Sequence, residues 1–281
     1  MKRAYLLAHP AGHSLSPVMH NAAFAQLGLD ATYSALDVTS EQLPDVMARL
    51  REGESYGANV TVPHKLTVTP FMDELTDAAR AVGAVNTVIN RDGRLVGDNT
   101  DGVGFIRGLI EDADTEPRAK RAVLLGAGGA GRAVAYALLN AGVDRLQIFN
   151  RTQEKAEALG LEFSTYGDAE TVDFRGLETA VRGADLLVNT TSVGLEHEGI
   201  DPDLSPLPPG LLPNQGMVCD LIYRPEKTRL LKDAEGEGLK TQNGVPMLVY
   251  QGAASFRAWT GRDAPVGVMT DAVQEALRQP R

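Results

Sequence analysis

The 281-residue sequence contains one cysteine, one tryptophan and no long apolar run. Because Cys219 stands alone, an internal disulfide and a cysteine-rich metal site are excluded. No segment approaches the ~18 consecutive apolar residues that a membrane-spanning helix needs. Basic side chains number 27 against 37 acidic ones, so the net charge of -10 lacks the basic surplus of a nucleic-acid-binding protein. The composition does not exclude small anionic ligands, because these need only a local basic pocket.

The N-terminus begins with two basic residues and a short apolar run, as a signal peptide does. That run is much shorter than the apolar core of a signal peptide, and Pro10 interrupts it. We therefore expect a soluble cytoplasmic protein, and the single cysteine fits that reducing compartment. His9, His13 and His20 lie close in sequence, but no acidic residue stands near them, so we expect no metal site.

Strand and helix patterns alternate along the chain, which predicts an α/β protein. The length suggests one large domain or two ordinary ones. The polar segment 111–120 separates two α/β halves, so we predict a first domain over residues 1–110 and a second over 111–261. The first half has no glycine-rich phosphate loop. We therefore expect it to bind the substrate, with the ligand in the cleft between the two domains.

Individual elements follow from apolar periodicity and turn residues. In the first half we predict strands over 3–8, 31–38 and 56–62, helices over 16–27, 41–51, 65–72, 76–82 and 101–110, and a hairpin at Asp92-Gly93. In the second half we predict strands over 186–189 and 217–221 and helices over 226–235, 245–260 and 266–277. Ser16 followed by Pro17 is typical of a helix N-cap and the first helical residue.

The clearest motif lies within residues 121–152, where a short apolar run leads into Gly126-x-Gly128-x-x-Gly131. A helical period follows, and then a second apolar run. Strand, glycine turn, helix and strand in about thirty residues form the pattern of a dinucleotide-binding unit. The first glycine permits a tight turn, the second admits a pyrophosphate, and the third lets the helix pack on the strand. The motif therefore predicts a Rossmann-type domain.

The residues after the second strand distinguish NAD from NADP. An NAD site usually has an acidic residue there to hold the ribose 2′-hydroxyl, and Asn150-Arg151-Thr152 supplies none. Arg151 can instead contact a 2′-phosphate, with Thr152 donating a hydroxyl and Lys155 adding charge. The alternative is that Arg151 is only a solvated surface side chain. We favour NADP over NAD.

Polar clusters stand in the first half where a core would be apolar. Ser14 and Ser16 lie at a helix start and suit a carboxylate, although they equally suit a turn and a helix cap. Lys65 follows the third strand, where a side chain can project into a cleft. Asn86 and Asp101 belong to two further clusters, AVNT and NTDG. Taken singly, each has an ordinary explanation as a turn, cap or surface residue.

Taken together, these motifs resemble the shikimate/quinate dehydrogenase family. The motifs occur over nearly the whole chain in the order HSLSP, NVTVPHK, AVNT, NTDG, GAGGAG, NRT, NTTSVG, DLIYRP and QGAASF. There are two departures: Ala8 replaces a usual glycine, and NGVPM at residues 243–247 replaces a commoner Gly-Leu-Gly-Met form. Neither departure removes a group that could take part in chemistry, so both bear on fine substrate fit.

The resemblance implies an N-terminal α/β substrate domain and a Rossmann-type domain, with the last helix, within 262–281, returning to the first domain. It implies that a monomer or homodimer reversibly reduces 3-dehydroshikimate to shikimate with NADPH, with Lys65 and Asp101 as the catalytic pair. Reduction of a ketone leaves an alkoxide, which Lys65 can protonate and stabilise while Asp101 orients the ammonium. Whether Lys65 alone or the pair transfers the proton stays open. His64 is adjacent, and we expect it to point elsewhere.

The resemblance also implies two sets of binding residues. The substrate would be held by Ser14, Ser16, Thr61, Asn86, Asp101, Tyr223 and Gln251, with the two serines on its carboxylate. The cofactor NADP(H) would be held by Gly126, Ala127, Gly128, Gly129, Ala130, Gly131, Asn150, Arg151, Thr152, Lys155, Thr190, Leu221 and Gly244.

Three alternatives belong to other functional classes or specificities. A quinate or dual quinate/shikimate dehydrogenase using NAD is the nearest, and the lack of an acid after Phe149 argues against it. A non-catalytic NADP-binding sensor would be expected to lack Lys65 or Asp101. A dehydrogenase for folate or a tRNA-linked acid would lack the paired serines and the order NVTVPHK then NTDG.

Overall fold

The computed structural model describes residues 1–12, 14–52, 54–196 and 201–279. His13 of the first polar cluster and the last two residues of the predicted returning segment lie outside this set. The chain divides into two compact units, Met1–Gly104 with Leu248–Arg281 and Phe105–Met247. Each unit contains a six-stranded sheet. The predicted boundaries at 110 and 261 stay a prediction.

The first unit is built on a mixed sheet with the strand order β2-β1-β3-β5-β6-β4. Its strands are β1 (Lys2–Ala8), β2 (Ala31–Asp37), β3 (Ser55–Val60), β4 (Glu74–Leu75), β5 (Thr87–Arg91) and β6 (Arg94–Asp98). Its helices are α1 (Ser16–Gln26), α2 (Leu43–Arg51), a 3-10 turn (Thr69–Phe71), α3 (Asp77–Val82) and the start of α4 (Asp101–Arg107). β1 runs parallel to β2 and β3, so their carboxyl ends lie at one edge of the sheet.

The second unit is a parallel sheet with the order β12-β11-β10-β7-β8-β9. Its strands are β7 (Arg121–Leu125), β8 (Arg145–Phe149), β9 (Ala169–Thr171), β10 (Leu186–Asn189), β11 (Met217–Asp220) and β12 (Lys240–Gln242). Its helices are a π-helical segment (Gly108–Asp112), α5 (Gly129–Asn140), α6 (Gln153–Phe163), α7 (Leu177–Arg182) and α8 (Arg229–Gly236). This strand order is that of the doubly wound dinucleotide-binding fold, so the predicted fold class is confirmed.

Two long helices complete the chain, α9 (Val245–Thr260) and α10 (Val266–Arg278). α10 packs against α1, so the last helix returns to the first unit as predicted. Trp259 of α9 also belongs to that unit, since its indole N–H donates to the carbonyl of Val88 at 3.0 Å. Among the described residues, no helix has both the length and the apolar character to cross a membrane.

The parallel sheet of the second unit is apolar on both faces. Val123 and Leu125 pack into one buried cluster, whereas Ala122 and Leu124 pack into the other. Successive side chains of a strand point to opposite faces, so helices must cover both sides of the sheet. This is why the central strands β7, β10 and β11 are nearly continuous apolar runs, whereas the edge strands β9 and β12 carry polar side chains.

Element predictions differ from the structure in two ways. The helix predicted over 65–72 is wrong: the segment forms turns and the 3-10 turn Thr69–Phe71, because β-branched residues and Pro70 disfavour a regular helix there. α6, α7, β4, β9 and β12 were not predicted individually. All of them except α6 have two to six residues, too few for a clear period. α6 has 11 residues, and its buried residues Ala156, Leu159, Gly160 and Phe163 follow a helical period that the predictions did not use.

One of the buried histidines of the first unit lies among aromatic rings. His20 is 0% exposed and stacks on Tyr33 with ring centroids 4.4 Å apart. Trp259 lies on another side, with its ring centroid 5.3 Å from that of His20. Burial lowers the pKa of His20 from 6.5 to about 3, because the interior disfavours the charged imidazolium. His20 is therefore a neutral core residue at neutral pH.

We expect His20 to weaken the fold in acid. The unfolded chain binds this proton below pH 6.5 and the folded chain does not, so stability is lost as the pH falls from 6.5 towards 3. Between pH 7 and pH 5, wild type should lose about 2 kcal/mol more unfolding free energy than His20→Phe, which keeps the ring stack. Urea unfolding at both pH values measures this difference, and all other titrating groups cancel. Equal losses would contradict the assignment.

Candidate active site

The predicted acid–base pair meets in the first unit. Lys65 lies in the turn after β3, and its carbonyl accepts from the backbone N–H of Val85 at 2.8 Å. Asp101 is the first residue of α4. The Lys65 ammonium Nζ donates to Asp101 Oδ2 at 2.6 Å, with the two side chains 17% and 6% exposed. The pair is therefore largely shielded from water, where a charge-assisted hydrogen bond is strong.

Asn86 fixes the second carboxylate oxygen. Its amide nitrogen Nδ2 donates to Asp101 Oδ1 at 2.8 Å and to Thr100 Oγ1 at 3.0 Å. Its carbonyl Oδ1 accepts from the Thr100 backbone N–H at 2.8 Å and from Thr87 Oγ1 at 2.9 Å. The two oxygens of Asp101 thus have different partners, Lys65 and Asn86, which sets the rotation of the carboxylate.

A buried polar layer behind Asn86 was missed by sequence reasoning. Ser255 of α9 is 0% exposed, and its Oγ accepts from Asn59 Nδ2 at 2.9 Å and lies 2.8 Å from Thr87 Oγ1. Ser255 Oγ also lies 3.0 Å from the Gln251 carbonyl, to which it can donate. All three residues stand in motifs quoted above, Asn59 in NVTVPHK, Thr87 in AVNT and Ser255 in QGAASF, but nothing in the sequence indicated that they meet. Asn59, Thr87 and Ser255 therefore form a buried layer of hydrogen bonds that holds the predicted site residues in place.

The start of α1 corrects one prediction. Ser16 does not cap the helix: the N-cap position is Leu15, with no side-chain cap. Instead, Ser14 Oγ accepts from the Ser16 backbone N–H at 3.2 Å. The Ser16 side chain is buried and that of Ser14 is half-buried. The two serines thus sit side by side at the helix start, with the Ser16 hydroxyl not used as a cap.

The remaining predicted substrate residues divide between the units. Thr61 is half-buried directly after β3, and its N–H donates to the Leu7 carbonyl at 3.0 Å. Gln251 on α9 lies in the first unit, with its Oε1 3.5 Å from Asn86 Nδ2. Tyr223 is half-buried in the loop after β11 and belongs to the second unit.

His64 lies outside this constellation. Its ring is 0% exposed and its Nε2–H donates to the Val38 carbonyl at 2.6 Å, at the end of β2. It points elsewhere, as predicted. His9 does have an acidic neighbour, since its Nδ1 lies 2.5 Å from Asp37 Oδ1. In the described ranges no group of three or more potential ligands from His, Cys, Asp and Glu could hold a metal ion.

The glycine turn of the second unit is shaped for a close ligand. Gly126 has φ +108°, and a Cβ there would lie 2.6 Å from Thr190 Oγ1. A Cβ on Gly131 would overlap the Gly126 carbonyl oxygen, whereas a Cβ on Gly128 would have nothing within 4 Å. Open space above Gly128 at the N-terminus of α5 suits a pyrophosphate, which backbone N–H groups there can bind. The cradle fits a dinucleotide.

Some residues after β8 have polar side-chain groups that are not used in bonds within the described part of the chain. Asn150 Oδ1 accepts from the Ala127 N–H at 3.3 Å, and its Nδ2 donates to the Thr152 carbonyl at 2.8 Å. Thr152 is the N-cap of α6 without a side-chain cap bond. Arg151 and Lys155 are exposed, and within the described part of the chain neither side chain forms an ion pair. These groups fit a phosphate on the ribose.

The other predicted cofactor residues lie at the neighbouring strand ends. Thr190 Oγ1 donates to the Leu125 carbonyl at 2.8 Å, which joins the ends of β10 and β7. The Gly244 N–H donates to the Ile222 carbonyl at 3.0 Å, and a Cβ on Gly244 would overlap the Leu221 carbonyl oxygen. Gly129, Ala130 and Gly131 form the first residues of α5. All of them lie at the carboxyl ends of the strands, where doubly wound sheets bind ligands.

Comparison with known proteins shows full-length similarity to one family. Residues 6–88 match the shikimate dehydrogenase substrate binding domain, residues 110–196 the shikimate / quinate 5-dehydrogenase family, and residues 244–274 the shikimate 5'-dehydrogenase C-terminal domain. Shikimate dehydrogenase (NADP(+)) of Moorella thermoacetica is 46% identical over 276 residues, 97% of this chain and 92% of that protein.

Solved structures of proteins from this family are also similar to this chain over nearly its whole length. Shikimate 5-dehydrogenase of Thermus thermophilus, in complex with NADP(H) and shikimate, has a TM-score of 0.90 at 44% identity, covering 99% of this chain and 100% of that one. Quinate dehydrogenase of Corynebacterium glutamicum, in complex with NAD, has a TM-score of 0.86 at 32% identity, covering 98% of this chain and 99% of that one.

Proposed function

The chain belongs to the shikimate/quinate dehydrogenase family, and we propose that it is an NADP-dependent shikimate dehydrogenase. It reduces the ketone of 3-dehydroshikimate to the hydroxyl of shikimate, and it catalyses the reverse oxidation. The observation that carries this proposal is the shielded Lys65–Asp101 pair at 2.6 Å, which a non-catalytic cofactor sensor would not need. A cytoplasmic location and a monomeric or homodimeric state stay predictions.

The residues of the pair divide the proton chemistry between them. NADPH, when bound, supplies the hydride. Lys65 donates the proton to the oxygen that develops negative charge, and its own charge stabilises that oxygen. Asp101 orients the ammonium through Oδ2 while Asn86 holds Oδ1 in place. In the oxidation direction neutral Lys65, the form left after it has donated its proton, takes the proton from the substrate hydroxyl.

The polar side chains around the pair supply substrate recognition. We assign the carboxylate to Ser14 and Ser16, because both hydroxyls lie at the start of α1 and the Ser16 hydroxyl is not used as a cap. We assign the ring hydroxyls to Thr61, Asn86, Asp101 and Gln251 of the first unit, and a substrate contact by Tyr223 stays a prediction. Asn86 already donates both amide hydrogens, to Thr100 and Asp101. A bound substrate hydroxyl would therefore replace one of these acceptors, and it would share the Asp101 carboxylate with Lys65.

The direct test measures initial rates of the purified protein with shikimate or quinate and with NADP+ or NAD+. We expect shikimate with NADP+ to give the highest kcat/KM of the four pairs. A higher kcat/KM for quinate with NAD+ would favour the quinate enzyme of the same family. NADP+ binding without turnover of either acid would favour a sensor and contradict the proposal.

The 2′-phosphate assignment makes a separate prediction. Arg151→Ala should weaken NADP+ binding by about 1–3 kcal/mol and leave NAD+ binding nearly unchanged, because only NADP+ carries the group that Arg151 contacts. Titration calorimetry with both cofactors measures the difference. Arg145→Ala is the matched control, since it removes an arginine at the opposite end of β8. Equal losses for both cofactors in Arg151→Ala would contradict the assignment.

A further inference from the structure

A carboxylate is buried at the end of β11, apart from the catalytic pair. Asp220 is 1% exposed and accepts three hydrogen bonds within the second unit. The donors are Asn189 Nδ2 at 3.0 Å, the Ile222 backbone N–H at 3.1 Å and Thr228 Oγ1 at 2.8 Å. None of these donors carries a charge. Burial raises the pKa of Asp220 to about 6, so this acid is costly to keep ionised.

Each of the three donors lies in a different backbone segment, and its hydrogen bond to Asp220 fixes that segment. Asn189 ends β10, and its Oδ1 accepts from both the N–H and the hydroxyl of Thr191, at 3.0 and 2.8 Å. The Ile222 N–H sets the turn after β11, and the Ile222 carbonyl accepts from Gly244. Thr228 is the N-cap of α8, where its hydroxyl oxygen also accepts from Leu231. One carboxylate therefore joins the turns after β10 and β11 to the start of α8.

The position of these turns in the sheet indicates which half of a dinucleotide they would receive. A doubly wound sheet binds the two nucleotides on opposite sides of its first strand, here β7. Arg151 follows β8 on one side of β7, and Asp220 lies at the end of β11 on the other. If Arg151 takes the 2′-phosphate of the adenosine half, the nicotinamide half lies over β10 and β11.

We propose that Asp220 is a positioning residue that holds the turns after β10 and β11, and with them Thr190, Leu221 and Gly244, in the arrangement that receives the nicotinamide half of NADP(H). The proposal rests on the proposed function for the identity of the cofactor. An amide cannot replace this carboxylate, because it has one acceptor atom for three donors and brings two hydrogens of its own. The isosteric change to asparagine should therefore disturb the turns while keeping the side-chain shape.

The test compares two ligands that differ in the nicotinamide half. Adenosine 2′,5′-bisphosphate carries the adenosine with its 2′- and 5′-phosphates but no nicotinamide half, whereas NADP+ carries both halves. For Asp220→Asn we expect calorimetry to show the Kd of NADP+ rising about tenfold or more, and that of adenosine 2′,5′-bisphosphate changing less than about twofold. Thr228→Val removes one donor and leaves the carboxylate. We therefore expect the Kd of NADP+ to rise less than in Asp220→Asn, while the Kd of adenosine 2′,5′-bisphosphate again changes little.

Two controls make the result decisive. Asp185→Asn is the matched acid-to-amide change at the amino end of β10, where Asp185 accepts from the Arg121 N–H at 3.0 Å, and it should bind both ligands like wild type. Asp220→Glu should recover part of the NADP+ affinity, because it restores an anionic acceptor. Unchanged NADP+ affinity, or equal loss of both ligands, in Asp220→Asn would overturn the proposal. If Asp220→Asn does not fold, Thr228→Val is judged by the same two criteria.

The same titrations separate this proposal from the proposed function. Wild type that binds NADP+ tightly and oxidises shikimate supports the proposed function, whatever the variants show. Wild type that binds neither ligand overturns both. If wild type binds NADP+ and oxidises shikimate, but Asp220→Asn does not lose NADP+ affinity selectively over adenosine 2′,5′-bisphosphate, only the positioning role is overturned.

Discussion

Lys65→Met should lower kcat for shikimate oxidation by about 10²–10⁴, the usual contribution of a positioned acid or base. The substitution removes the group that exchanges the proton and the positive charge beside the reacting oxygen, while it keeps most of the apolar bulk. NADP+ affinity should stay within about twofold of wild type, because Lys65 belongs to the first unit and the glycine turn to the second. Stopped-flow absorbance of NADPH at saturating shikimate measures the effect on kcat.

Stability has to be measured on the same protein. The pair is largely buried, so among the described residues methionine leaves the Asp101 carboxylate with Asn86 as its one side-chain donor, and the unfolding free energy should fall. Lys227→Met is the matched control: it breaks an exposed ion pair with Glu235 at 2.7 Å and should affect neither kcat nor stability appreciably. A folded Lys65→Met protein with near-normal kcat would refute the mechanism.

The partner substitution tests whether the two residues act as a unit. Asp101→Asn keeps the shape and one acceptor but loses the charge that orients the ammonium, so kcat should fall substantially. The double variant should lose much less than the product of the two single losses, because residues acting as a unit are non-additive. Fully multiplicative losses would show that Lys65 and Asp101 act independently.

The parts of the fold that sequence predicts well are those with a strong local pattern. Residues 121–152 form β7, the turn, α5 and β8 as predicted, because glycine positions and a change of apolar period both mark the boundaries. The hairpin at Asp92-Gly93 also forms, with φ values of +54° and +89° that these residue types tolerate. Short elements such as β9 depend on pairing with a neighbouring strand, which no local pattern records.

The site shows the same division between local and long-range information. Lys65 and Asp101 could be named from their motifs, yet their 2.6 Å contact joins two turns that only the fold brings together. Asn59 and Ser255 could not be named as partners, because they are 196 positions apart and a buried serine on a helix has no distinctive local pattern. The role of Ser16 as a cap was wrong for a related reason. Ser, Pro and a following helix are compatible with a cap at either of two neighbouring positions.

Two glycines of the turn should separate cofactor binding from folding. Gly128→Ala should lower NADP+ affinity about 10–100-fold while the unfolding free energy stays near wild type. Its Cβ meets no protein atom within 4 Å, so the added methyl occupies space that the pyrophosphate would need. Its backbone has φ −84°, which alanine adopts without strain.

Gly131→Ala makes the opposite kind of change three residues further on. Its Cβ would overlap the Gly126 carbonyl oxygen and lie 3.0 Å from Thr190 Oγ1, so α5 must move away from β7. Overpacking of this kind typically costs about 1–3 kcal/mol, and here it also displaces the N–H groups at the helix start. We therefore expect Gly131→Ala to lose both unfolding free energy and NADP+ affinity. Titration calorimetry and urea unfolding on both variants check the contrast. Wild-type NADP+ affinity in Gly128→Ala would mean that the pyrophosphate does not lie over this turn, and the cofactor site would have to be sought elsewhere on the sheet.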